Sequence, residues 1–229
     1  MTRAAADLAP VEEATDRLLH TAAKLSETAL AGPSHLPGWT RGHVLAHLAR
    51  NADALTDVLH GRPMYRSEEA RDADIARDAD RPLAEHLTDL RDSSARFLAT
   101  ARALDEAGWE RRVALRNGIT DRAARLPFRR WVEVELHLVD LDAGPTVADL
   151  PGTFLDRAVE YLAERYVGHP DLPPLELRAE DGRSWRTGAG GGEPRRIVGT
   201  PAALVGWLSG RTSGAGLTSA EPLPEPPSL

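Results

Sequence analysis

RWVEVELH, residues 130–137, is the stretch on which the architecture turns. Around it, Phe128, Trp131, Val134, Leu138 and Leu141 recur at helical spacing, Pro127 suits a first helical turn, and Gly144-Pro145 ends the run. Within that helix Glu133 and His137 stand four residues apart, which stacks both side chains on one face. The helix is apolar on most sides, so an ionised Glu133 would be expensive unless a cation or a hydrogen-bonding partner compensates. A metal ion would do both.

A second stretch, LPGWTRGHVLAH at residues 36–47, repeats the spacing in His43 and His47. Thr40 is a plausible N-cap, and Val44, Leu45, Leu48, Ala52, Leu55 and Leu59 form an apolar stripe that runs to Gly61. A ligand from this helix, added to the Glu133–His137 pair, gives three protein ligands and leaves a coordination position open, the arrangement of a catalytic zinc site. Two more helices complete a set of four. One spans Val11 to Leu30 and stops at Gly32-Pro33; the other carries Leu83, Leu87, Leu90, Phe97 and Leu98. Four such helices predict a bundle, whose sites are built from inward-facing carboxylates and histidines one turn apart. The polar run YRSEEARDADIARDADRP (65–82) between the second and third helices reads as an exposed crossover. Its Asp72, Asp74, Asp78 and Asp80 superficially suggest a calcium loop, but the glycine and terminal glutamate of an EF-hand are missing, which favours a solvated loop.

The pattern changes after Leu150. Phe154 to Tyr166 is helical, LELRAEDGRSWRT (175–187) reads as two strands turning at Asp181-Gly182, and Thr200 with Pro201 opens a helix over PAALVGWLSGR. The final SAEPLPEPPSL, rich in proline and poor in apolar residues, reads as a flexible tail. The expected organisation is α+β: a four-helix bundle over 1–150, a small α/β domain over 151–218, and the tail over 219–229.

The 229 residues contain no cysteine, which excludes disulfides, thiolate ligands and a protein-borne sulfur nucleophile. Ligands can then only be His, Asp or Glu, a set that suits zinc, nickel, manganese or non-heme iron. A formal charge of −7 provides no basic footprint for nucleic acid. No apolar run approaches the roughly 20 residues that span a bilayer, and the N-terminal residues show no signal-peptide pattern, so the expected setting is cytoplasmic, without a membrane partner. The expected state is a monomer or a weak homo-oligomer acting on a small molecule.

Four segments in order, LPGWTRGHVLAHLARNADAL (36–55), EEARDADI (68–75), LPFRRWVEVELHLVDL (126–141) and GTPAALVGWLSGR (199–211), resemble the mycothiol-dependent maleylpyruvate isomerase family. The resemblance implies a DinB-like metal-binding bundle with a C-terminal α/β domain. It places the metal ligands, typically for zinc, on His47, Glu133 and His137, and an arginine implicated in activity on Arg211. It implies mycothiol as thiol cosubstrate and cis–trans isomerisation of maleylpyruvate to fumarylpyruvate by reversible thiolate addition. A mycothiol S-transferase would use the same activated thiol on another electrophile, and a non-catalytic metal-binding scaffold is the third reading. His43 could be a ligand, but a supporting or helix-start role fits it better. Arg211 also suits the end of a helix, where a cation favours the dipole. Trp39, Trp131 and Trp207 read as core rather than catalytic residues.

Overall fold

The computed structural model describes residues 3–227. Among the described residues ten α-helices and six strands follow in chain order: α1 (Arg3–Ala6), α2 (Leu8–Ala22), α3 (Glu27–Leu30), α4 (Arg41–Leu59), α5 (Glu68–Ala79), α6 (Leu83–Arg102), α7 (Glu106–Glu110), β1 (Arg112–Ala114), β2 (Thr120–Arg122), α8 (Leu126–Asp140), α9 (Gly152–Arg165), β3 (Leu175–Ala179), β4 (Ser184–Thr187), β5 (Arg195–Gly199), α10 (Pro201–Leu208) and β6 (Thr218–Ser219). They fall into two compact units, Met1–Gly144 and Pro145–Leu229.

In the first unit α2, α4, α6 and α8 are the long helices, and α4 touches α5, α6 and α8. α4 is the central one: Val44, Leu45, Ala46, His47, Leu48 and Ala49 are all buried, so it presents core on nearly every side. Thr40 starts it as expected, accepting from the His43 backbone N–H while the His43 imidazole turns back to the Thr40 N–H. Arg41 then fastens this end to the end of α8, donating from Nε to the Leu141 carbonyl at 2.6 Å and from Nη2 to Asp142 at 3.0 Å. The first helix is shorter than its apolar spacing suggests. α2 stops at Ala22, and Ser26, whose hydroxyl accepts from Ala29 N–H, opens the separate α3.

The polar run expected as a solvated loop is instead α5, capped by Ser67. It buries only Ile75, Asp78 and Ala79, a stripe too narrow to register as helical periodicity. Asp78 compensates: its buried carboxylate takes bonds from Arg50 (3.1 Å), Arg77 (2.9 Å) and Arg81 (2.7 Å), which ties α5 to α4. The two helices approach so closely that a Cβ on Gly42 would stand 2.1 Å from the Ala79 carbonyl oxygen. Gly42→Ala is therefore expected to destabilise the unit by about 1–3 kcal/mol despite alanine's higher helix propensity, since a backbone rather than a side chain must yield. Urea unfolding reads this directly, and an unchanged midpoint would show that α5 is free to shift.

The second unit is a four-stranded sheet in the order β4-β3-β5-β6 with α9 and α10 against it. The hairpin at Asp181-Gly182 forms as read, β3 pairing antiparallel with β4 from Leu175↔Thr187 to Arg178↔Ser184. The short β5, not anticipated, lies parallel to β3 on its other side. Thr200 caps α10 and Pro201 opens it. The proline-rich end does not behave as a free tail over its described residues. Thr218–Ser219 pairs with β5, Trp207 Nε1 donates to the Pro224 carbonyl at 3.2 Å, and Tyr166 Oη lies 2.8 Å from the Pro227 carbonyl. A proline-rich segment has few N–H groups to satisfy, and its carbonyls serve as acceptors for buried aromatic donors. Residues 228 and 229 of the expected tail lie outside the described residues.

Candidate metal centre

Two helices bring the candidate ligands together. α4 and α8 run antiparallel, Arg41 bonding to Leu141 and Arg130 to Leu48, so His47 of α4 meets Glu133 and His137 on facing turns of α8. One ligand atom from each lies within 4.8 Å of the others. His47 Nε2 stands 3.1 Å from Glu133 Oε2, and His137 Nε2 stands 3.4 Å from the same oxygen. Ligand atoms held at about 2.0–2.1 Å from a zinc ion at tetrahedral angles are about 3.3 Å apart. Both separations fit that edge, and two imidazoles with one carboxylate are a donor set suited to zinc and to other divalent transition ions. The cluster is open on one side, since the Glu133 side chain is 37% exposed whereas His47 is buried.

His137 is held by a partner behind it. His137 Nδ1 donates to the buried Asp140 at 2.8 Å, which fixes the ring and turns Nε2 toward the cluster. Burial opposes a charge on His137, but its bonds to Asp140 and Glu133 outweigh that and raise its pKa. His47 goes the other way. Burial holds it down to about 4 against the Glu133 bond, so it is a neutral imidazole at working pH. Burial would raise Glu133, yet the bonds from His137 and His47 keep it well below the usual carboxylate range.

Further back, Arg130 is fully buried one turn before Glu133. It donates from Nη1 to the Leu48 carbonyl (2.8 Å) and Asn51 Oδ1 (2.9 Å), and from Nη2 to Ser94 Oγ (3.3 Å). Burial lowers its pKa to about 10, so it stays a cation. With Arg41 on one side of the ligand turns and Arg130 on the other, α4 and α8 are clamped in register across the cluster.

Trp39, read as core, is only half-buried and stands beside the cluster, its ring 5.5 Å from that of His47. Trp131 and Trp207 are buried as expected. His43 takes the helix-start role through Thr40. Arg211 belongs to the second unit, just beyond α10, with Nη1 donating to the Ser209 carbonyl at 2.6 Å. Three residues around the cluster were not picked out from sequence: Asp140, Arg71 and Tyr65. Arg71 Nη2 lies 3.2 Å from His47 Nδ1, and its guanidinium lies 5.9 Å from the centroid of the Tyr65 ring. Burial, then the Glu133 charge, pushes the Tyr65 hydroxyl up, so it remains a phenol able to donate. Asp140, three residues after His137, carried a legible signal, because a carboxylate one turn beyond a histidine is placed to hold its ring.

The family described as the mycothiol maleylpyruvate isomerase N-terminal domain matches residues 11–142, and the corresponding C-terminal domain matches residues 149–227. The chain belongs to the mycothiol maleylpyruvate isomerase family. Two solved structures agree over the full length. A crystal structure of the mycothiol-dependent maleylpyruvate isomerase is 28% identical with a TM-score of 0.90, and one of a histidine-to-alanine mutant of that enzyme is 27% identical with a TM-score of 0.90. In both comparisons 100% of this chain and 98% of the other are covered. No curated protein matches the chain. For this isomerase-family member, both family regions coincide closely with the two compact units, and the candidate ligands all lie in the N-terminal one. No helix among the described residues is long and apolar enough to cross a membrane.

Proposed function

We propose that the chain is an isomerase that converts maleylpyruvate to fumarylpyruvate with mycothiol as thiol cosubstrate, at a divalent metal, zinc by expectation, held by His47, Glu133 and His137. The observation that carries the metal assignment is the tetrahedral edge: 3.1 and 3.4 Å from the two imidazole Nε2 atoms to one carboxylate oxygen. A divalent ion bound there supplies Lewis acidity that keeps a thiol as its thiolate near neutral pH. The chain has no cysteine to act as nucleophile, which is consistent with a sulfur brought by a cosubstrate. Asp140 holds one His137 proton on Nδ1, so Nε2 can ligate once it has given up the proton it shares with Glu133. His47 needs no deprotonation, because burial already holds it neutral.

Arg211 is assigned the developing negative charge. As the thiolate sulfur forms its bond to one carbon of the cis double bond, the displaced electron pair moves onto the conjugated carbonyl oxygen, where a guanidinium is a fixed counter-charge. Rotation about the new single bond and return of that electron pair expel the thiolate and leave the trans product, with no net gain or loss of atoms.

Purified protein loaded with zinc, given maleylpyruvate with and without mycothiol, tests the reading. Fumarylpyruvate that forms only with mycothiol, while the thiol concentration stays constant, is the expected result. A thiol conjugate that accumulates instead would reassign the chain to S-transfer. A second test follows from His137, whose raised pKa means that accepting a metal at Nε2 displaces a proton. Zinc affinity should climb as pH rises through that pKa and level off above it. Calorimetry in buffers of different ionisation enthalpy should show up to about one proton released per zinc below that pKa. No proton release would mean that His137 is not a ligand.

A further inference from the structure

We propose that Arg71 is the carboxylate-binding residue of this site, holding one of the two carboxylates of the keto-acid substrate. The inference rests on the triad being the isomerase centre. Its ground is the company Arg71 keeps. The helix that carries it, α5, is drawn against α4 by the close approach at Gly42 and by the Asp78–Arg50 pair, which brings the guanidinium beside His47. The Arg71 side chain is only 11% exposed. A cation that deep is costly unless an anion pairs with it. Asp72 bonds its Nη1 at 2.6 Å, but that carboxylate is 66% exposed and shared with water. The other end of the guanidinium, Nη2, faces the cluster and meets an imidazole nitrogen rather than a carboxylate.

A guanidinium only donates. A histidine that ligates a metal through Nε2 keeps its remaining proton on Nδ1 and also donates there. With His47 serving as a ligand, Nη2 faces a donor, and the Tyr65 hydroxyl that is also hydrogen-bonded to Arg71 is neutral, so an anionic acceptor on the open side of the cluster suits the guanidinium better. A carboxylate of maleylpyruvate is such an acceptor, and it matches the planar fork of an arginine. The Tyr65 ring lies against the guanidinium and limits how far it can turn away. The substrate, a pyruvate unit acylated by one end of a cis-butenedioate, carries one carboxylate at each end, so Arg71 takes one and leaves the other, or the enolate, to a second cation.

The test compares wild type with Arg71→Met and Arg71→Lys, all loaded with zinc. Maleate, which keeps the carboxylate on the cis double bond and carries a second carboxylate in place of the substrate's ketone, is titrated by calorimetry without mycothiol. Expected is a loss of about tenfold or more in maleate affinity for Arg71→Met with zinc content at the wild-type level, and partial recovery in Arg71→Lys. In turnover, the KM for maleylpyruvate should rise while the KM for mycothiol does not. Equal maleate affinity in wild type and Arg71→Met would overturn the proposal, and so would loss of zinc from Arg71→Met, which would make Arg71 a support for His47 instead. If wild type binds maleate in an Arg71-dependent way but does not isomerise maleylpyruvate, the isomerase reading falls and the carboxylate site stands.

Discussion

His47→Ala is expected to purify without stoichiometric zinc and to lose turnover by about a thousandfold or more, while its helical circular dichroism is unchanged. Removing one of three ligands leaves a carboxylate and one imidazole, which cannot hold a divalent ion against competing water in the same geometry. The fold should survive because the bundle is stabilised by its core: α2, α4, α6 and α8 bury Leu18, Leu45, Leu48, Leu90, Phe97 and Leu126 almost completely. The decisive comparison is thermal unfolding in chelator and in zinc. In chelator the two proteins should melt within a few degrees of each other. In excess zinc only the wild type should gain, since an ion that binds the folded state alone stabilises it by mass action. Glu133→Gln, which keeps the shape and removes the charge, should show the same loss in weaker form. A His47→Ala protein that retains both stoichiometric zinc and activity would show that the three converging side chains are not the metal site.

How much of this was legible beforehand differs by residue, for physical reasons. The ligand helices could be read because their signals are local: the Glu133–His137 spacing lies within one turn, and Thr40 caps its own helix. The hairpin at Asp181-Gly182 and the start of α10 at Thr200-Pro201 are equally local. α5 was hidden because its stability comes from long-range ion pairs, not from its own apolar stripe; Asp78 meets an arginine 28 positions earlier in sequence. Arg71 was hidden with it. Its role depends on His47, 24 residues away, and a charged residue in a charged run carries no mark of burial. The proline-rich end departs from the free tail its composition suggests, because composition measures only what a segment can bury by itself. Here the segment supplies carbonyls to the buried Trp207 and Tyr166. Arg130 illustrates the same limit in the core, since the second of two adjacent arginines, Arg129 and Arg130, reads as a solvated position.

Arg130 is where the largest loss of stability is expected. Arg130→Ala should destabilise the N-terminal unit by about 3–5 kcal/mol, because it leaves a large cavity and strips donors from Asn51 and Ser94 in the interior. Arg130→Met separates the two causes. Methionine fills much of the same volume and abolishes the cost of keeping a cation out of water, which several buried charges replaced by apolar residues have shown to be a real saving. The Met variant should therefore lose less than half as much as the Ala variant in urea unfolding. Both should bind zinc more weakly than wild type, for a reason stability alone does not cover. Arg130 grips the Leu48 carbonyl and Asn51, one residue and one turn beyond His47, from a position one turn before Glu133. Without it the ligand turns of α4 and α8 are clamped on the Arg41 side only, and the 3.1 Å approach of His47 to Glu133 has no fixed stop on the other. A Met variant as stable as wild type but with zinc affinity reduced about tenfold or more would identify the clamp as a device for the site. Zinc affinity at the wild-type level in that variant would assign Arg130 to the bundle core alone.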